Sequence, residues 1–567
     1  MSAVPVWVRL SVVVSISLLE ISACHAKALA RRIKKQTEAP HMPNITPIQT
    51  EVTPNQGQHL SEEDVKLVQR GWESQTAEFD YDIEVEGNIP DQLQGTFYRN
   101  GPGRMTVYDT QLVHPIDGDG MITSITFSKG KAHFRSKYVR TAGYETEEKQ
   151  KRGVMKGMMG TVPANKPWGE WLDEVKKDVL RGKMPNQRYK NPSNTSVYYW
   201  GGKLMSCWEG GMPYNLDPRT LETKGREDIG GNLERSKSLA AHSRYDKKKD
   251  RLVTFGLLMG LGAKSKLVIY EFDKEWGLIQ ERTTELESYY YCHDLAITEN
   301  YYLVHHSPFV SFDTTTIAKV VSGWNAPGEL MRYYPNVPCR IIVIPRNKES
   351  SEEIRYLDIP PCHIYHHINA YEVDGHIKLS SVCIGENFNM KFDQKVWLSN
   401  FSEEPGHVYN FDIDLGSNTI KRELVDESAC EFPTHHPDID GRDWRYAYLM
   451  ASEKGFDHIP FQDVIKMHMR MEKNLKRGQF DVKGTNRQVW SSRGEHGAIG
   501  EPVFVAREGG KNEDDGWVLV QVYYFREHKT QILVLDATEL SRGPIARLKL
   551  SHHTPFTFHG TFCPEIF

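Results

Sequence analysis

Trp517-Val518-Leu519-Val520-Gln521-Val522-Tyr523-Tyr524-Phe525 is followed by Gln531-Ile532-Leu533-Val534-Leu535 and then by the polar stop Asp536-Ala537-Thr538-Glu539-Leu540. Both runs are β-branched and aromatic, and each is too short for a typical helix, so they read as paired strands. An Asp at a strand end can accept hydrogen bonds from the next turn, which makes it a natural closing element of an antiparallel sheet. Working outward, the pattern recurs along the chain. Strand-like runs occupy 196–200, 251–257, 266–272 and 340–344. Further Asp stops stand in Leu216-Asp217-Pro218-Arg219-Thr220-Leu221, Phe272-Asp273-Lys274 and Phe411-Asp412-Ile413-Asp414. Irregular repetition of this kind fits a β-propeller with decorated blades, although sandwiches use the same turns. Helical periodicity is confined to two stretches, 168–181, through Trp168, Trp171, Leu172, Val175, Val179 and Leu180, and 461–475. No Pro/Gly linker divides the chain after residue 60, so 61–567 reads as one domain.

The bulk properties suit an enzyme or binding protein with a large core. Of 567 residues, 39% are hydrophobic and 26% charged, and the net charge of −5 offers no electrostatic footprint for nucleic acid. Aromatic residues make up 11%, with 26 Tyr and 12 Trp, which favours strands and a pocket for a large apolar ligand. The eight cysteines contain no Cys-x-x-Cys pair, which argues against a zinc ribbon and a dense disulfide framework and leaves buried free thiols.

Residues 1–30 resemble a cleavable leader. Arg9 precedes an apolar run from Leu10 to Ile21, and small residues follow at Ala26, Ala28 and Ala30. The run falls short of the ~20 residues a spanning helix needs. The leader admits secretion or import into a plastid, with the plastid slightly favoured. Residues 31–60, basic and then rich in Pro and Thr, read as a disordered linker.

Four histidines sit in distinctive surroundings. They are His242 in Ala-Ala-His-Ser-Arg-Tyr-Asp, His293 in Cys-His-Asp-Leu-Ala-Ile-Thr-Glu-Asn, His366 in Tyr-His-His-Ile-Asn-Ala-Tyr-Glu and His559 in Phe-Thr-Phe-His-Gly-Thr-Phe. A shared site would have to be assembled by the fold. Neutral imidazole suits Fe, Zn, Cu or Ni. Structural zinc usually recruits cysteine and catalytic zinc three ligands, whereas six-coordinate Fe(II) on four histidines keeps two open positions. Histidine ligands normally donate their second N–H to a carboxylate or carbonyl. Glu209, Glu431 and Glu501 stand in motifs suited to that task. On a strand only one of His366 and His367 can face inward. The doublets at 305–306, 435–436 and 552–553 read as surface residues or as residues one layer behind the site.

With these residues in view, the chain resembles the carotenoid cleavage oxygenase family. The likeness runs from Gly95 to the C-terminus. It is carried by Gly-Thr-Phe-Tyr-Arg-Asn-Gly-Pro-Gly at 95–103, Asp-Gly-Asp-Gly-Met at 117–121, Tyr138-Val139-Arg140-Thr141, Trp-Glu-Gly-Gly at 208–211, His-Asp-Leu-Ala-Ile-Thr-Glu-Asn at 293–300 and the closing Phe-His-Gly-Thr-Phe. The resemblance implies an all-β fold, a seven-bladed β-propeller with a helical and loop cap over an axial metal. It implies one Fe(II) per chain on His242, His293, His366 and His559, with Glu209, Glu431 and Glu501 behind three of them. His366 is preferred to His367 because Asn369 stands three residues beyond it. Thr195 matches a position beside an open coordination site. Ser243 departs from the family, where many members have Pro.

The implied activity is Fe(II)-dependent dioxygenase cleavage of a conjugated C=C bond in a carotenoid or apocarotenoid, giving two carbonyl products. O2 and an apolar polyene are the partners, and no catalytic side chain beyond the metal ligands is expected. A stilbenoid-cleaving enzyme of the same fold is the alternative, disfavoured because Ala142, Gly143 and Tyr144 follow Arg140-Thr141, with no Lys until Lys149. A non-catalytic carotenoid-binding propeller is a third reading. Peripheral membrane contact is expected through Val154, Met155, Met158, Met159, Trp168, Trp171 and Leu172. Cleavage position, isomer preference and oligomeric state depend on tunnel shape and surface, which one sequence does not display.

Overall fold

A computed structural model describes residues 59–163, 189–234, 238–259, 265–286, 292–307, 339–385, 405–457, 459–469, 471–474, 479–482 and 487–567, with scattered positions between 169 and 180 and at 326 and 328. The leader, the linker to residue 58, and Trp168, Trp171 and Leu172 lie outside the described residues.

Among the described residues, seven antiparallel sheets of four or more strands follow one another around an axis. Blades two to five each use four successive strands, and blade six uses four with a separate hairpin inserted before its last. Their innermost strands are Ser196–Trp200, Arg244–Asp246, Leu295–Ile297, His367–Val373 and Ala429–Thr434. Blades one and seven exchange the chain ends. The last strand, Gly560–Cys563, becomes the inner strand of blade one by pairing with Gly95–Arg104, and Glu84–Gly87 becomes the outer strand of blade seven by pairing with Pro544–Lys549. The ring is thus closed by β-ladders between the two ends of the chain.

The opening stretch of sequence shows why these residues form blades. Gly516–Tyr524 is buried at every position, as a strand must be when both of its faces pack on neighbouring blades. Seven separate hydrophobic cores occupy the seven gaps between consecutive blades. Phe97, Phe127, Trp517 and Leu519 fill the gap that joins blade seven to blade one.

The Asp stops act as expected. Asp536 accepts from Thr538 N–H (2.9 Å), Asp217 from Thr220 N–H (2.9 Å), Asp273 from Gly277 N–H (2.7 Å) and Asp414 from Gly416 N–H (2.8 Å). Each lies in the turn between the third and fourth strands of its blade. Blade four uses Asn347 in the same way, accepting from Glu349 N–H at 3.0 Å.

The expected helix at 461–475 is not present. Asp463–His468 is a strand between Tyr446–Ser452 and Gln488–Ser491, and Met471–Asn474 belongs to a separate hairpin with Gln479–Val482. Residues 463–467 are all buried, so an apolar run packed on both faces mimicked one helical stripe. At 168–181 the described positions Gly169, Asp173, Lys176, Lys177 and Leu180 are helical and exposed. Leu180, counted above on the apolar face, is 85% exposed. Helix Ala142–Gln150, capped by Thr141 Oγ1 accepting from Tyr144 N–H, follows strand Lys131–Tyr138 on the same end of the propeller as His559. No helix among the described residues is long and apolar enough to cross a membrane.

Candidate metal centre

All four histidines sit just before an innermost strand. His242 precedes Arg244–Asp246 by two residues and His293 precedes Leu295–Ile297 by two, while His366 and His559 directly precede His367–Val373 and Gly560–Cys563. Innermost strands run closest to the axis, so side chains at their starts meet there although up to 317 residues separate them in sequence. One potential ligand atom from each of the four lies within 4.8 Å of the others. The Nε2 atoms of His242 and His293 are 3.0 Å apart, and those of His293 and His366 are 3.2 Å apart. Two donors at right angles about a metal with bonds of about 2.1 Å would stand about 3 Å apart.

Carboxylates fix the direction of three rings. His293 Nδ1 meets Glu209 Oε1, His366 Nδ1 meets Glu431 Oε2 at 2.5 Å, and His559 Nδ1 meets Glu501 Oε1 at 2.8 Å. An ionised carboxylate only accepts, so each Nδ1 carries the proton and each Nε2 lone pair is turned toward the centre. Converging lone pairs repel unless a cation lies between them, so the donor set fits a metal ion. None of the seven described cysteines, all buried and free, belongs to the group.

Burial, together with the three neighbouring imidazoles, holds His242 well below the ordinary histidine range and therefore neutral. His559 is also lowered, chiefly by burial, against the pull of Glu501. At His366 burial acts downward too, but the contact with Glu431 outweighs it and the net shift is upward.

Of the adjacent pair, the preferred His366 is the one brought into the group. His367 turns away, 2% exposed, to Ser381 Oγ at 2.8 Å from its Nδ1. Thr195 lies beside His559, its carbonyl accepting His559 N–H at 3.1 Å. Its hydroxyl donates to Asn194 Oδ1 at 3.2 Å. His305 and His306, expected at the surface or one layer behind the site, are not at the surface, each only 5% exposed within Tyr301–His306. Met159 is buried at 5% exposure, which removes it from the candidate membrane patch, while Val162 is 47% exposed.

Several residues at the centre were not found from sequence. Arg99, 1% exposed, donates to Glu501 Oε2 (3.2 Å) and to Glu501 O (2.9 Å), so the His559–Glu501 pair continues into a buried guanidinium. Its signal was present, since Arg99 lies within the Gly-Thr-Phe-Tyr-Arg marker. Phe432 holds φ at 50°, an uncommon backbone for a bulky residue, in the bulge that follows Glu431. Its ring stands 5.2 Å from that of His366 and 4.9 Å from that of His559. Tyr365 sets its ring 5.1 Å from that of His293. Gly560 is required by close approach, because a Cβ there would lie 2.5 Å from Tyr98 O.

Comparison with known proteins follows the same lines. The family model described as retinal pigment epithelial membrane protein matches residues 72–564. The apocarotenoid-15,15'-oxygenase of Synechocystis sp. is 36% identical over 503 residues, covering 87% of this chain and 95% of that protein. The isoeugenol monooxygenase of Pseudomonas nitroreducens is 28% identical, covering 86% and 95%. A solved structure, the crystal structure of cobalt-substituted Synechocystis ACO, superimposes with a TM-score of 0.76 at 34% identity, covering 89% of this chain and 99% of that one.

Proposed function

The chain belongs to the retinal pigment epithelial membrane protein family, that of the carotenoid oxygenases, and is an oxygenase; on that premise we propose that it uses one Fe(II) per chain and O2 to cleave a conjugated C=C bond of a carotenoid or apocarotenoid. The products are two carbonyl compounds, each taking one atom of O2. The observation that carries this reading is the convergence of four imidazoles with carboxylates behind three of them.

His242, His293, His366 and His559 would hold the ion through Nε2. Imidazole binds a metal as an uncharged donor, so an ion held by these four ligands would keep its full charge. The chemistry it supplies when bound is the activation of O2 for addition to an alkene. Glu209, Glu431 and Glu501 hold the proton on Nδ1 of their histidines and so keep Nε2 free. The rings of Phe432 and Tyr365 pack against three of the imidazoles. Thr195 borders the centre next to His559, with its hydroxyl proton committed to Asn194. Selectivity between bonds then comes from where the polyene is held, not from a protein acid or base.

A polyene substrate is supported by the name of the Synechocystis relative. A phenolic alkene is the second reading, favoured by the Pseudomonas relative. Against it, Lys149 is exposed on helix Ala142–Gln150, and positions 142–144 supply no cation for a phenolate. Anaerobically reconstituted protein given 18O2 and either an apocarotenal or isoeugenol separates the two. The proposal expects two carbonyl fragments, both labelled, from the polyene; turnover of the phenol alone overturns the polyene assignment. A polyene bound without any turnover favours the scaffold reading.

Three further assignments belong to the same proposal. Residues 61–567 act as one domain, supported by unbroken cores around the ring. Residues 1–30 are a leader for secretion or plastid import, supported by their apolar run and tested by the N-terminus of the mature protein. The enzyme docks peripherally on a bilayer, supported by Val162 at 47% and Leu180 at 85% exposure on the segments that follow helix Ala142–Gln150.

A further inference from the structure

The seven blades are separate sheets. Backbone ladders therefore set distances within a blade but not between the innermost strands of neighbouring blades. Four histidines from four blades need something that crosses those gaps to fix their spacing.

Two residues beyond His242, one side chain does so. Arg244 Nε donates to Leu295 O at 2.7 Å, Nη2 to His367 O at 2.8 Å, and Nη1 to Ile368 O at 3.3 Å. Nη2 also meets Asp294 Oδ2 at 2.5 Å, and Asp440 Oδ1 lies 3.6 Å from Nη1. Asp294, the residue after His293, completes the link. Its Oδ2 accepts His367 N–H at 2.9 Å and its Oδ1 accepts Leu295 N–H at 2.7 Å. The Asp294 side chain is 2% exposed and that of Arg244 13%.

The pair thus ties together blades three, four and five at the level just beyond the histidines. The segments it joins carry His242, His293 and His366, the three whose Nε2 atoms stand 3.0 and 3.2 Å apart. His559 is held by other contacts. Its carbonyl accepts Asn100 N–H at 2.9 Å, and its Nδ1 carboxylate, Glu501, is paired with Arg99. A guanidinium suits the task because its donors lie in a rigid plane and can meet several acceptors at once. Its charge would repel a bound dication unless neutralised, and Asp294 supplies the opposite charge on the spot.

We infer that Arg244 and Asp294 are positioning residues of the metal centre, an interblade clamp that fixes the spacing of His242, His293 and His366 while cancelling its own charge. The inference rests on the reading of the four histidines as a metal site. Its distinctive consequence is that charge and geometry can be separated. Asp294→Asn leaves the guanidinium with only the more distant Asp440 carboxylate, 3.6 Å from Nη1, as counter-charge, whereas Arg244→Met with Asp294→Asn removes both charges of the clamp.

The test titrates Co(II) into the metal-free full chain, following its visible absorption bands, with urea unfolding of each metal-free variant as the control. Arg244→Lys keeps the charge but cannot span three blades. It should weaken Co(II) binding about 10–100-fold, the range expected for groups that orient metal ligands, and shift the absorption bands. Asp294→Asn should bind more weakly than the double variant. The clamp is refuted if Arg244→Lys and the double variant fold and bind Co(II) with the wild-type constant and spectrum. It is equally refuted if both lose the fold, because the pair is then a structural element only. Failure of the wild type to bind Co(II) refutes the metal reading itself.

Discussion

Replacing Glu501 and Glu431 with Gln should have very different consequences, although each carboxylate stands behind one histidine. Glu501 receives donors on both oxygens. His559 Nδ1 reaches Oε1 at 2.8 Å, while Gly560 N–H (2.7 Å) and Arg99 Nη1 (3.2 Å) reach Oε2. A Gln there has one acceptor oxygen. If it serves Gly560 and Arg99, its NH2 faces the Nδ1–H of His559, and the imidazole must move its proton to Nε2, where the metal should bind. If it serves His559, its NH2 faces Gly560 N–H and a guanidinium only 1% exposed. Breaking one side of a buried ion pair costs about 3–5 kcal/mol, and loss of a ligand-orienting group costs about 10–100-fold in metal affinity. Glu431 differs, because His366 Nδ1 (2.5 Å) and Phe432 N–H (2.6 Å) both use Oε2, and among the described residues no donor reaches the buried Oε1. Gln can place its oxygen at Oε2 and satisfy both donors. Glu431→Gln should therefore stay within about 1.5 kcal/mol of wild type, the worth of one net hydrogen bond, with the smaller loss of affinity. Urea unfolding of the metal-free proteins and Co(II) titration measure the two quantities. Arg99→Met in the Glu501→Gln background should restore much of the stability. Equal losses from the two Glu→Gln changes, or a larger loss from Glu431→Gln, would refute the reasoning.

Three other outcomes are expected. Burial pushes His114 down to about 3, below its unfolded value of about 6.5. The unfolded chain therefore binds the extra proton first as pH falls, and stability is lost below about 6.5. His114→Asn, which keeps an acceptor for Ile116 N–H, should remove about 2–3 kcal/mol of the stability change between pH 7 and 4.5; urea curves at both pH values decide, and an unchanged slope contradicts the assignment. At Gly120 a Cβ would lie 2.2 Å from Ser193 O, next to the segment that carries Thr195. Gly120→Ala should cost about 1–3 kcal/mol, and a thermal midpoint equal to wild type would show the contact to be slack. Met158→Glu with Val162→Glu should reduce cosedimentation with liposomes several-fold without changing the thermal midpoint; undiminished binding removes this segment from the docking surface.

How much of this could be read from the chain depended on the range of the chemistry involved. Asp536, Asp217, Asp273 and Asp414 act on residues two to four positions away, so both the strand ends and their turns were visible. The four histidines were visible because each begins an inner strand within a distinctive local motif. The blade count follows from pairings such as Thr96 with Cys563, which no local pattern displays. Residues 461–475 were misread for a related reason. A strand buried on both faces has no period of two, and its apolar run imitates a helical stripe. Arg99, Arg244 and Asp294 escaped notice because a charged residue in a short motif gains its meaning only from partners 51 to 402 positions away.

Metal stoichiometry with ligand counting tests the central claim most directly. Protein reconstituted anaerobically with ferrous iron should hold one ion per chain, with X-ray absorption showing four imidazole nitrogens at about 2.1 Å. His242→Ala, His293→Ala, His366→Ala and His559→Ala should each lose that coordination, and His367→Ala should retain it. Iron-free wild-type protein, or a centre that survives loss of His366 but not of His367, would contradict the account.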